Sequence, residues 1–211
     1  MNQENMHQMQ KRLNRYWYVD GISEIGFGLL CLILGAYFFG ISYFEENSLL
    51  FQLLSIGFVL IIIGAAYGIN RFVSFLKNRI TYPRTGFVAY RRMRSYWRWL
   101  IGALVGALSA GLMIFLTRIP ASLNWKVFIT GMVFTLVALY IAFRIGLLRY
   151  GIIAIAAFVL GTYLSVQSPG DYQGLAAFYL LLGATISGTG AAILWRYMLT
   201  NQSPSEELDD E

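Results

Sequence analysis

The chain has 211 residues, 57% of them hydrophobic and only 13% charged, which excludes an ordinary water-soluble globule because too few polar groups remain to cover its surface. The net charge of +5 comes from basic residues gathered in clusters, so their placement is more informative than their sum. A single cysteine, Cys31 inside an apolar run, excludes an internal disulfide or a thiolate pair for metal or redox chemistry and reads as a small core residue.

Residues 1–20 form a polar lead with Lys11, Arg12 and Arg15, too long and too polar for a cleaved signal peptide. The first apolar segment therefore reads as a retained signal anchor. Crossing ~30 Å of hydrocarbon takes about 20 mostly apolar residues. Six segments meet that length: 22–44, 49–69, 99–117, 127–148, 150–166 and 175–198. The predicted architecture is an all-α membrane protein, a six-transmembrane-helix bundle. Its parts are the lead 1–20, a first hairpin 21–69, a basic aromatic cytoplasmic loop 70–98, hairpins 99–148 and 149–198, and an acidic, disordered tail 199–211. The junction near Arg149 is either a turn or a kink, and a kink would leave five spans and move the C-terminus to the other side.

Short cytoplasmic loops accumulate Lys and Arg. With six spans and the N-terminus inside, fourteen of the sixteen basic residues lie on the cytoplasmic side, leaving Arg118 and Lys126 outside. Both termini are then cytoplasmic. Residues 11–17 also align with 91–97, each a basic run ending in Tyr-Trp, and Gly26 then falls on Gly106. This is either a parallel internal repeat or the usual interfacial start of an inward-facing span.

The loop carries eight basic residues, seven aromatics and no acid. Its first part, with Phe72, Phe75, Leu76 and Ile80 set against Arg71, Ser74, Lys77 and Asn78, has amphipathic helical spacing and continues the second span along the membrane surface. Pro83 and Gly86 then sit between two short β-favouring runs, 80–82 and 87–90, predicting a small β-hairpin. Arg71, Lys77, Arg79, Arg84, Arg91, Arg92, Arg94 and Arg98 are candidates for binding anionic lipid or a membrane partner. Nucleic acid is not expected as a partner, since a loop pinned at a membrane is poorly placed for it. The tail, with Glu206, Glu207, Asp209, Asp210 and Glu211, is either merely solvated or a screened electrostatic latch on this loop.

Small residues recur at seven- and four-residue spacings, each making a smooth stripe where a neighbouring backbone can approach. The candidates for helix packing are Gly28 and Gly35, Gly57 and Gly64, Gly102 and Gly106, and Gly183, Ser187 and Gly190. A leftover stripe would serve a homo-oligomer or another membrane protein.

Asp20 and Glu24 share one helix face at the cytoplasmic end of the first span, and Arg144 lies at nearly the depth of Glu24. A bare charge in hydrocarbon costs several kcal/mol. The expectation is a Glu24–Arg144 ion pair with Asp20 reaching Arg98 or Arg149; the bland alternative is snorkelling of each side chain to the headgroups. The sole histidine, His7, lies in the polar lead, and no nucleophile elbow, P-loop or intramembrane carboxylate dyad occurs, so neither an enzyme nor a metal or other cofactor is expected.

The run Arg79-Ile80-Thr81-Tyr82-Pro83-Arg84-Thr85-Gly86-Phe87-Val88 resembles a signature of bacterial integral membrane proteins of uncharacterised function, which implies a bacterial inner membrane. The glycine-striped hairpins are more loosely similar to the acid-resistance membrane protein family, which has six short spans. The functional expectation is a non-enzymatic bundle that engages anionic lipid or a membrane partner through its basic loop. The alternative is a small-solute or ion transporter whose pathway uses Glu24 and Arg144.

Overall fold

The computed structural model describes residues 18–45, 48–82, 124–167 and 170–201. Among them there is no strand, and five helices are long and apolar enough to cross a membrane. We number these α1 (Ile22–Ile41), α2 (Leu49–Leu76, extended by a π-helical turn Lys77–Thr81), α3 (Trp125–Ile145), α4 (Leu148–Gln167) and α5 (Asp171–Thr200). Each corresponds to one of the predicted spans. The remaining predicted span, 99–117, with Gly102 and Gly106, lies outside the described residues, as do Arg84, Arg91, Arg92, Arg94, Arg98 and the acidic tail.

Local chemistry sets the helix ends. Ser48 caps α2 by accepting from the Phe51 N–H (3.1 Å), and Asn124 caps α3 by accepting from Val127 (3.4 Å). The α3–α4 junction is a turn: Gly146 adopts φ 74°, a left-handed geometry suited to glycine, and its N–H closes the helix onto the Ala142 carbonyl at 2.8 Å. The two helices then run antiparallel. Near their far ends Asn124 N–H donates to the Ser165 carbonyl (2.9 Å), and midway along α3 Thr135 Oγ1 donates to the Ala154 carbonyl (3.3 Å).

Close approach of small residues organises two helix pairs. Antiparallel α1 and α5 meet along Gly21, Gly28 and Gly35 on one side and Gly190, Ser187, Gly183 and Leu180 on the other. A Cβ added at Gly28 would stand 2.6 Å from the Ser187 nitrogen and 2.8 Å from the Gly183 carbonyl oxygen, both backbone atoms. The predicted stripes of the first and last spans are thus one interface. Cys31 is buried there, against Gly183. The α3–α4 pair is equally close at Gly131 and Gly161, where a Cβ on either would lie 2.7 Å from the other's Cα. Neither glycine was among the residues expected to pack helices, although Gly161 shares its buried face with the small residues Ala154, Ala157 and Ser165.

The apolar core lies between α3, α4 and α5, with Val127, Ala138, Ala154, Ala157, Phe178, Leu182 and Ile186 at its centre. Helix α2 stands apart: it buries no residue between Leu49 and Leu76, and among the described residues nothing lies within 4 Å of a Cβ placed at Gly57 or Gly64. The face that α2 turns toward α1 carries Phe58, Ile69 and Val73, and the packing expected at Gly57 and Gly64 has no counterpart among the described residues. The first arm expected of the β-hairpin, residues 80–82, is helical, because the coil runs on through the π-turn; its remainder, 83–90, lies outside the described residues.

Candidate functional site

The start of α1 gathers the buried charges. Gly21, at φ 72°, reverses the chain just before α1 and leaves Asp20 folded over the helix end, where Oδ1 accepts from the Ile22 N–H at 3.2 Å. The other oxygen, Oδ2, accepts from Thr81 Oγ1 (3.0 Å) and pairs with Lys77 Nζ (3.4 Å), both side chains of the pair being 3% exposed. Lys77 and Thr81 open and close the π-turn, four residues apart and just under one turn of that wider coil, so both reach the same carboxylate. Of the two arginines expected to reach Asp20, Arg149 pairs with Glu24 instead, and Arg98 lies outside the described residues. Lys77 is corrected as a candidate headgroup ligand, because it turns inward and spends its charge on Asp20.

One turn further along α1, Glu24 is 3% exposed. Its Oε1 takes a 2.7 Å ion pair from Arg149 Nη2 and a 2.6 Å hydrogen bond from the Tyr150 hydroxyl. The same guanidinium nitrogen donates to the Tyr18 carbonyl, fixing the chain ahead of α1 to the start of α4. The expected Glu24–Arg144 pair is not formed. Arg144 is exposed on the outer face of α3, where Nη1 donates to the Tyr140 hydroxyl one turn back at 2.8 Å and the guanidinium lies over that ring. The two arginines share a depth but not a direction: Ala138 and Ile145 mark the inner face of α3, and Arg144 points away from it. Tyr150 and Thr81, which complete the two clusters, escaped sequence reasoning; an intramembrane-edge hydroxyl next to a charge was the available signal.

Taking two ions out of water costs several kcal/mol each, repaid only when the remaining lone pairs find donors. Asp20 meets that requirement with three donors, while Glu24 meets it on one side only. Its Oε2 has no hydrogen-bond partner among the described residues, and the same holds for Ser23 Oγ and Arg149 Nε.

Glu24 and Ser23 line a cavity of about 430 Å³ bounded by α1, α2, α3 and α4, with Ile186 of α5 at its back. Polar groups occupy the end nearest Asp20, namely Tyr18, Ser23, Glu24, Asn70, Ser74 and Tyr150. The inner part is apolar, walled by Leu30, Ala66, Ile69, Phe134, Ala157 and Ile186. Among the described residues no three His, Cys, Asp or Glu side chains converge as a metal site would require.

Of the remaining basic candidates, Arg71 and Arg79 are exposed on α2 and its π-turn, the former 3.5 Å from the Tyr67 hydroxyl. At the opposite end of the bundle Lys126 pairs with Asp171 and lies over the Tyr172 ring, tying the starts of α3 and α5. No protein-family model matches the sequence, and no curated protein or solved structure matches it significantly.

Proposed function

We propose that this chain is a non-enzymatic, six-span protein of a bacterial cytoplasmic membrane that engages anionic lipid through the basic residues at and beyond the end of α2. The observation that carries this reading is the uninterrupted basic character of residues 70–98, where no acid offsets eight Lys and Arg side chains, with Arg71 and Arg79 exposed. Lys77 pairs internally, so the proposed headgroup ligands are Arg71 and Arg79 together with Arg84, Arg91, Arg92, Arg94 and Arg98 of the segment beyond α2.

The sixth span is supported by the ends of its neighbours. Helix α2 finishes beside Asp20, and α3 begins beside Ser165 at the opposite end of the bundle, which is the arrangement a further crossing between them would require. The antiparallel α1–α5 pair puts the start of α1 and the end of α5 on one side. That side also carries Arg71, Lys77, Arg79, Arg144, Arg149 and Arg196, which favours the cytoplasm for both termini. The resemblance of residues 79–88 supports the bacterial membrane.

The transporter alternative loses its named pathway with the displacement of Arg144, and an apolar-walled cavity is poor ground for ions or small polar solutes. Native mass spectrometry of the purified chain with phosphatidylglycerol and phosphatidylcholine tests the proposal. Phosphatidylglycerol is expected to be retained preferentially, and Arg71→Gln with Arg79→Gln to weaken it roughly thirtyfold, at about 1 kcal/mol per basic residue. Equal retention of the two lipids by the unaltered chain would overturn the reading.

A further inference from the structure

The cavity beside Glu24 has the polarity profile of an amphiphile. It follows α1 from Ser23 to Leu30, α2 from Ser74 back to Ala66, α3 from Ile141 back to Phe134 and α4 from Tyr150 to Ala157. Each helix thus contributes about seven residues from one bundle end inward, roughly 10 Å at 1.5 Å per residue. Polar groups lie at the outer end and hydrocarbon walls lie deeper, the order in which a lipid presents headgroup and chain. Phe27 and Val137, 45% and 43% exposed on α1 and α3, rim the cavity, and Ala66, Asn70 and Ser74 rim it on α2, so among the described residues it opens sideways between α2 and α3. Its size lies within the ~300–1,000 Å³ of ordinary ligand pockets.

The chemistry of the polar end selects the headgroup. The Glu24 carboxylate is balanced by Arg149, so the pair has no net charge to offer, yet Glu24 Oε2 and Ser23 Oγ have no hydrogen-bond partner among the described residues. A buried acceptor in that condition favours a ligand bearing a hydrogen-bond donor. A second cation is unnecessary, and an anionic headgroup would face the carboxylate. We propose that this cavity binds a neutral, hydroxyl-headed amphiphile, its hydroxyl donating to Glu24 Oε2 beside Ser23 and its chain lying against Leu30, Ile69, Val73 and Phe134. This site is separate from the basic surface that engages anionic lipid.

Three single-chain probes of equal length decide the matter: monooleoylglycerol, methyl oleate, which has no donor, and oleylamine, which is cationic. In native mass spectrometry of the detergent-solubilised full chain, monooleoylglycerol is expected to bind at least tenfold more tightly than methyl oleate and no more weakly than oleylamine. Ala66→Trp and Val137→Trp, both at exposed lining positions, are expected to abolish that preference, whereas Val59→Trp, exposed and away from the cavity, leaves it intact. Ser23→Ala is expected to reduce it several-fold. Equal binding of monooleoylglycerol and methyl oleate, tighter binding of oleylamine, or indifference to both lining tryptophans would each overturn the proposal. Phosphatidylglycerol retention is expected to persist in the lining variants, so failure here is distinguishable from failure of the basic-surface reading.

Discussion

Along its α5 side, α1 brings backbone against backbone at Gly28 and Gly183, whereas along its α2 side it meets longer side chains and is joined at one end by the Asp20–Lys77 pair. The α2 contacts are a stack of Tyr37 on Phe58 (4.9 Å between centroids), a Tyr37 hydroxyl bond to the Leu54 carbonyl (3.2 Å), and Ile69 and Val73 facing Gly26. Lipid supplies little hydrophobic drive between helices, so association rests on close packing and on polar ties. The α1–α5 contact uses the first resource along its length. The α2 contact leans on the second, concentrated at the π-turn, and leaves Leu49, Leu53, Ile56, Leu60 and Ile63 exposed. One helix pair is therefore sensitive to volume and the other to charge.

The largest expected effect breaks the charge side. Lys77→Met leaves Asp20 buried without its counter-ion, and unfolding of the detergent-solubilised protein should show a loss of about 3–5 kcal/mol. Adding Asp20→Asn should recover most of it, because the asparagine Oδ1 can still accept from the Ile22 N–H while its amide nitrogen donates to the Thr81 hydroxyl, which rotates to accept. A single substitution no more costly than Arg144→Met would mean that the pair does not hold α2.

Breaking the volume side comes next. Gly28→Ala forces a methyl group against the Ser187 and Gly183 backbone, which no rotamer change relieves, and should cost about 1–3 kcal/mol in the same measurement. Smaller again is Tyr150→Phe, which removes one of the two donors on Glu24 Oε1 while Arg149 remains; about 1 kcal/mol is expected. A loss as large as that of Lys77→Met would show that the Tyr150 bond, rather than the ion pair, keeps Glu24 inside.

The contrast also explains what could be read without coordinates. Depth in a membrane is a one-dimensional property of a sequence, so the five described spans and the clustering of Asp20, Glu24 and Arg149 at one end were legible. Direction around a helix depends on where the neighbours stand. Arg144 and Arg149 are equivalent in depth, but only Arg149 faces α1. Lys77 reads as a headgroup ligand on an amphipathic face, and the π-turn rotates it inward instead. The glycine period coincides with the close approach of α1 and α5, yet the same period on α2 has no neighbour at Gly57 and Gly64 among the described residues; periodicity marks a surface and not its occupant.

The smallest expected effect tests that last point. Gly57→Ala and Gly64→Ala meet no atom within 4 Å among the described residues, and alanine is the better helix former, so each substitution should leave stability within about 0.5 kcal/mol or raise it slightly. The measurement is the unfolding midpoint at two protein-to-detergent ratios tenfold apart. A loss above about 1 kcal/mol confined to the concentrated sample would mean that a second copy packs its own backbone against this stripe, since only an intermolecular contact is diluted by detergent. A loss equal at both ratios would place an intramolecular neighbour there, and α2 would then share the volume-sensitive packing of α1 and α5.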